Sequence, residues 1–355
     1  MTTPKTFHIP SLDGIRAIAV FIVFVAHAGF ENIVPGGFGV TVFFFLSGFL
    51  ITTLMRQEFA LARDISIRHF YLRRIYRIMP PMYLVLIAVL LFQLSRHADL
   101  HPSAIVAQFA YLTNYYGIAF GEQDFLPYTN ILWSLAVEEH FYILFPLLLS
   151  WALPRYSLRQ VFNAVLVVCG LVLAWRCFLV LGLHVDRQYT YAATDTRIDS
   201  ILFGTAMALR FNPVLDTVTR SESDKRCWLA LIAGLALIGV SFLIRNPVFR
   251  ETIRYTLQGV ALWPIFFGAI HLSKSPVFAW LESSVMRWFG RISYTFYLTH
   301  FLAIGVSRAF VSHQLLSNVV AFALATAVSL AMYFLVERHM STLRRRLHDG
   351  PQPLP

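Results

Sequence analysis

Eleven apolar blocks divide the chain, at about 12–30, 37–55, 79–95, 104–120, 131–153, 161–183, 197–211, 228–244, 255–272, 289–310 and 317–337. Most are long enough to cross roughly 30 Å of hydrocarbon as a helix rising about 1.5 Å per residue. Lipid offers no partner for open backbone, so each block is expected to be helical. The charged fraction is 14%, against about 25% in a soluble domain, so water is not the main solvent of this chain. The expected fold is all-α: a polytopic transmembrane helical bundle.

Block 104–120 is the weakest, because it carries Gln108, Asn114 and several tyrosines. It is expected to be an interfacial or re-entrant helix, which leaves about ten crossings. With that choice the arginine-rich loops at 56–78, 154–160, 212–227 and 273–288 share one side with both termini. The positive-inside rule then puts both termini in the cytoplasm, in the inner (cytoplasmic) membrane. The net charge of +10 falls in short runs between apolar blocks, so topology and anionic membrane lipids account for it and nucleic acid is not an expected partner. Residues 1–340 form one membrane unit, and 341–355 a basic, Pro-rich cytoplasmic tail. Lys5, Arg16 and Ala26-His27-Ala28 loosely imitate a cleavable signal peptide, but Asp13 and the polar residue at the cleavage position argue for a retained first helix. Cys169, Cys177 and Cys227 are odd in number and lack paired spacing, which indicates neither a disulfide framework nor zinc.

Ionisable residues are costly inside apolar spans, so those present are functional candidates. Arg16 and His27 lie eleven residues apart, close to three full turns, and so share a face about 16 Å apart along the axis. A plainer reading has Arg16 snorkelling to the surface and His27 packing. In the fifth block, Ser134, Glu138 and Tyr142 recur every four residues on one stripe, while Glu139 points about 100° away. A structural role for Glu138, paired with an arginine, is the alternative. Ser293, Tyr297 and His300 make a second polar stripe, with His300 near the outer end. Asp195-Thr196-Arg197-Ile198-Asp199 reads as a capped helix start. Gly36, Gly37, Gly39 and Ser47-Gly48 suit close helix packing. Arg73, Arg74 and Arg77, followed by Pro80-Pro81, lie at the cytoplasmic mouth, as topological anchors or as a phosphate-binding cluster.

These residues resemble the acyltransferase-3 family of membrane O-acyltransferases. The resemblance runs from about residue 10 to 338 through Leu12-Asp13-Gly14-Ile15-Arg16 leading to His27, then Phe43-Phe44-Phe45-Leu46-Ser47-Gly48-Phe49 and Arg73-Arg74-Ile75-Tyr76-Arg77-Ile78-Met79-Pro80. It continues with Trp133-Ser134-Leu135 through Glu138-Glu139-His140-Phe141-Tyr142 to Pro146, and with Gly290-Arg291-Ile292-Ser293-Tyr294 followed by Tyr297 and His300. His140 stands where many relatives have glutamine. The resemblance implies transfer of an acyl group, acetyl first, from cytoplasmic acyl-coenzyme A to a hydroxyl of a cell-envelope or exported carbohydrate, or of a small hydroxylated metabolite. Some relatives carry an appended extracytoplasmic hydrolase-like domain, for which this chain is expected to be too short.

On that reading Arg73, Arg74 and Arg77 take the donor phosphates, and the pantetheine arm follows the Arg16 to His27 face. His27 serves as general base or as transient acyl carrier. Glu138 either orients His27 or acts as the base itself, and sequence leaves both open. Ser134, Tyr142, Ser293 and Tyr297 are candidate donors to the acceptor or the oxyanion. No metal is implied. The rival reading is a proton-coupled transporter or exporter of a glycan or small metabolite, which ought to show related halves; none are evident.

Overall fold

Proline and serine mark where several helices begin. Pro10 opens α1 (Pro10–Val25) in the first turn, where its missing N–H costs nothing. Ser66 caps α3 (Ile67–Ser95), and a Ser157/Gln160 capping box opens α7 (Leu158–Leu181). Between them lie α2 (Gly36–Ala62), α4 (Pro102–Phe109), α5 (Thr113–Phe120) and α6 (Trp133–Ala152). The chain continues through α8 (Arg187–Ala192), α9 (Thr194–Arg210), α10 (Arg220–Leu243), α11 (Pro247–Glu251), α12 (Ile253–His271), α13 (Pro276–Ala279), α14 (Ser284–Phe310) and α15 (Gln314–Met332). The computed structural model describes residues 9–216 and 220–341. The tail expected at 341–355, Ser341 apart, and the signal-like Lys5 fall outside the described residues.

The protein is an all-helical, multi-pass membrane protein. Among the described residues, seven helices are long and apolar enough to cross a bilayer, or eight if the pair Ile253–His271 and Pro276–Glu282, bent by 96°, is counted as one span. The other two expected crossings fall on α9 and α14. Both carry a polar complement because they face protein: α9 buries Thr196, Arg197, Asp199, Ser200 and Thr205, and α14 buries Ser293, Thr295, Thr299, His300 and Ser307. Their polar side chains are turned onto neighbouring helices, where a polar group costs less than it would against lipid.

Block 104–120 is not one helix. It forms α4 and α5, each of eight residues, broken at Tyr111 in the left-handed region (φ 58°). At about 1.5 Å per residue neither spans a bilayer. The polar residues that weakened this block pair internally: Gln108 donates to Thr129 Oγ1 (2.5 Å), and Asn114 to the Ala192 carbonyl and Thr194 Oγ1.

At the centre, α9 packs against α2, α7 and α12, while α1 packs between α2 and α14. The α2–α9 crossing is tight enough that a Cβ on Gly48 would collide with the Ile201 carbonyl, and one on Gly204 with the Phe45 carbonyl. Asp199 holds Arg176 of α7 in a bidentate pair at 2.8 Å, both side chains fully buried. The remaining guanidinium N–H groups donate to the carbonyls of Thr196 and Thr252 and to Thr256 Oγ1, so the pair also fastens α12. Arg197 lies 4.1 Å from the Tyr255 ring centre and donates to Thr41 Oγ1 and the Tyr191 carbonyl.

The segment 195–199 is therefore a buried lock and not the capped helix start its sequence suggests, since no side chain caps α9. Asp195 accepts hydrogen bonds from Tyr115, Trp175 and Tyr189 instead. Burial, and then the Asp195 charge, push the Tyr189 phenol up to about 12, which keeps it a donor. Removing one partner of a buried ion pair strands the other, at about 3–5 kcal/mol. Asp199→Leu is thus expected to lower the melting temperature of the detergent-solubilised protein severely. The double variant Asp199→Leu with Arg176→Met is expected to recover part of that loss, which thermal unfolding of the two proteins checks.

Candidate active site

One cavity gathers most of the polar residues singled out along the chain. It opens to the surface, and the space it encloses, open mouth included, is about 870 Å³. Arg16 reaches it from α1, Ser47 from α2, Arg74 and Arg77 from α3, Ser134, Glu138 and Tyr142 from α6, and Ser293, Tyr294 and Tyr297 from α14. The helix periods explain the convergence. Arg74 and Arg77 lie three apart, Ser134, Glu138 and Tyr142 four apart, and Ser293 and Tyr297 four apart, so each helix turns one polar stripe inward.

Charge in the cavity is graded. Arg77 is exposed, Arg16 and Arg74 are half-buried, and Tyr142, Ser134 and Tyr297 are buried. Three guanidinium groups face one lining carboxylate, Glu138. Arg16 also bonds Asp13 (3.2 Å) within its own helix. The Arg74 guanidinium lies 4.8 Å from the Tyr142 ring centre. Such a surface favours an anionic ligand, for which the planar arginine fork is well matched.

Glu138 accepts hydrogen bonds from Ser47 Oγ (2.8 Å) and Tyr142 OH (3.2 Å), and Tyr142 OH also reaches Ser47 Oγ (3.0 Å). The reading in which Glu138 orients His27 meets a different partner set. His27 Nδ1 lies 2.8 Å from His300 Nε2, and His27 is not among the residues lining the cavity. Nor does Arg73 line it; Arg73 pairs with Glu58 at 3.3 Å, which separates it from Arg74 and Arg77. Glu139 points away from the Glu138 stripe, as the helical offset requires, and is absent from the lining.

The first helix changes form where His27 sits. Residues Ala26–Phe30 make a π turn, kinked within it at Gly29 (φ 106°). Such turns leave backbone carbonyls without helical donors. Here Arg308 donates to the His27 carbonyl (3.4 Å) and Asn318 to the Ala28 carbonyl (3.0 Å), tying the turn to α14 and α15. The His27 and His300 rings meet edge to edge (centres 5.1 Å apart, 20° between planes), and His27 lies beside Phe301 (5.0 Å). The bridge back to the cavity is Tyr297: its carbonyl holds His300 Nδ1 (2.6 Å), and its hydroxyl lies 2.7 Å from Ser134 Oγ at the cavity wall.

A family model described as an acyltransferase domain matches residues 9–338. The chain belongs to the acyltransferase-3 family. It is 29% identical over 332 residues to the O-acetyltransferase OatA of Staphylococcus aureus, covering 89% of this chain and 53% of that protein. It is 28% identical over 317 residues to the peptidoglycan O-acetyltransferase OatA of Listeria monocytogenes, covering 83% of this chain and 49% of that one. The chain thus spans about half the length of the curated relatives it matches. No solved structure matches it.

Within this acyltransferase-3 chain, two site residues depart from what their sequence suggests. Ser47, in a phenylalanine-rich run next to Gly48, looked like a packing residue, yet its hydroxyl serves Glu138. His300, near the outer end of its stripe by sequence, is fully buried and holds His27. The i, i+4, i+7 spacing of Ser293, Tyr297 and His300 was the available signal, but nothing in it named a partner on α1. Gly29 should be intolerant of a side chain. A Cβ there would sit 2.6 Å from Gln314 Nε2 at a φ that costs other residues about 1–2 kcal/mol. Gly29→Ala is expected to cut acyl transfer at least tenfold while the melting temperature falls by only a few degrees, measured on the same purified preparation.

Proposed function

We propose that this protein transfers an acetyl group from cytoplasmic acetyl-coenzyme A to a hydroxyl of a cell-envelope carbohydrate. The observation that carries the reading is the pairing of a three-arginine cavity with a histidine dyad joined to it through Tyr297. Family membership and the acetyltransferase relatives add the reaction class. The peptidoglycan relative suggests the acceptor class.

In this mechanism the donor phosphates meet Arg77 first, then Arg74 and Arg16, and the pantetheine arm passes Glu138 towards Ser134 and Tyr297. Glu138, held by Ser47 and Tyr142, supplies the cavity's own carboxylate and offsets the mutual repulsion of the Arg74 and Arg16 guanidinium groups. His27 takes the proton of the acceptor hydroxyl, whose oxygen attacks the thioester carbonyl. A C–O bond forms as the C–S bond breaks, and the departing thiolate takes up the proton to become coenzyme A. Ser134 and Tyr297 hydroxyls are the donors nearest the developing oxyanion. The arginine mouth faces the cytoplasm, with both termini, in the inner membrane, in line with the positive loops.

The test is consumption of radiolabelled acetyl-coenzyme A by purified protein in liposomes. His27→Ala is expected to abolish turnover without loss of donor binding. Arg74→Gln or Arg77→Gln is expected to raise the KM for acetyl-coenzyme A about tenfold or more, each charge-assisted bond being worth about 1.5–3 kcal/mol. If the wild type neither binds nor consumes the donor, the reading fails.

A further inference from the structure

His300 is fully buried, lines no part of the cavity, and has both ring nitrogens engaged. Their partners fix where its protons are. Nδ1 lies 2.6 Å from the Tyr297 carbonyl oxygen, which only accepts, so Nδ1 carries the hydrogen. In a neutral imidazole the other nitrogen then bears the lone pair. A second proton on this ring would place a charge at a site with no exposure and no carboxylate on either nitrogen. Nε2 of His300 is therefore an acceptor, and the 2.8 Å contact to His27 Nδ1 is an N–H donated by His27. That leaves the lone pair of His27 on Nε2.

We propose that His300 is a positioning residue that locks His27 into the Nδ1–H tautomer, so that its Nε2 is permanently the basic nitrogen. The catalytic side of this inference rests on the reading of His27 given above; the tautomer itself does not. The surroundings are built to hold one orientation. The His300 ring runs parallel to Phe296 (4° between planes, centres 6.4 Å apart) and meets His27 edge to edge, 20° between planes, while Phe301 packs beside both rings, 5.0 Å from His27 and 6.3 Å from His300. The π turn and the bonds from Arg308 and Asn318 fix the backbone of His27. The chain of bonds also has an end. Because His300 passes its own hydrogen to a backbone carbonyl, no proton travels from His27 through His300 to Tyr297 OH. The dyad is a lock, not a wire, and a proton gained by His27 Nε2 must leave from Nε2.

Two measurements test this. Protein labelled with ring-15N histidine and reconstituted in liposomes is examined by solid-state NMR, with His27→Ala identifying the His27 resonances. The wild type is expected to show a protonated Nδ1 and an unprotonated Nε2 at His27. His300→Leu is expected to lose that pattern, Nε2–H becoming the main form, whereas His300→Gln, which returns an acceptor at the same reach, is expected to keep it. Turnover of acetyl-coenzyme A should follow: about ten- to a hundredfold lower kcat in His300→Leu with KM unchanged, and within about threefold of wild type in His300→Gln. A wild-type His27 protonated at Nε2 overturns the proposal, as does a His300→Leu protein with wild-type kcat, or a His300→Gln protein as slow as His300→Leu. If His300→Leu does not fold, the wild-type tautomer and the His300→Gln rate still decide. Lack of turnover in the wild type would sink the functional reading alone, because the NMR result needs no donor.

Discussion

Charged groups are buried in the middle of this protein, and a charge placed there is tolerable only with partners supplied by the chain. The Arg176–Asp199 pair shows what that demands. Two full charges lie at the protein's centre with no exposure, and every remaining guanidinium hydrogen bond is met by a carbonyl or hydroxyl from α9, α11–α12 or the turn between them. Once α9 is held this way, its glycine can press against α2, and α2 can present Ser47 and the Phe43 and Phe44 rings to the cavity. The site therefore depends on a lock that contributes nothing to its chemistry.

The same constraint shapes the site. Glu138 is tolerable at membrane depth because Ser47 and Tyr142 donate to it and Arg74 lies over the Tyr142 ring. His27 is tolerable because His300 and the π turn absorb its ring and its carbonyl. These are two separate polar clusters, one at the basic mouth and one beyond it, joined by the Tyr297 side chain and backbone. On the proposed reading the first binds and the second reacts, which leaves the donor arm to span the distance between them.

Much of the architecture could be read along the chain, because a bilayer writes its thickness into sequence as apolar length. Among the described residues, seven helices follow that rule directly. It fails at α9 and α14, whose polar faces belong to protein contacts, and at block 104–120, where Tyr111 breaks one apolar block into two short helices. The stripes at Ser134, Glu138 and Tyr142 and at Ser293 and Tyr297 were also legible, since helical spacing alone brings their members to one side.

What the sequence determined by itself was therefore local and periodic: which segments are helical, which residues share a face, and that a basic mouth lies beside a polar interior. Only the tertiary structure decided which faces meet. It paired His27 with His300 across 273 residues, Ser47 with Glu138 across 91, and set Arg73 on Glu58 instead of in the cavity. A helix fixes the direction of its own side chains to within one turn, but its rotation and depth against its neighbours come from packing, such as the Gly48–Gly204 contact and the π turn at Gly29. Those terms involve residues far apart in the chain, and no period within a single segment encodes them.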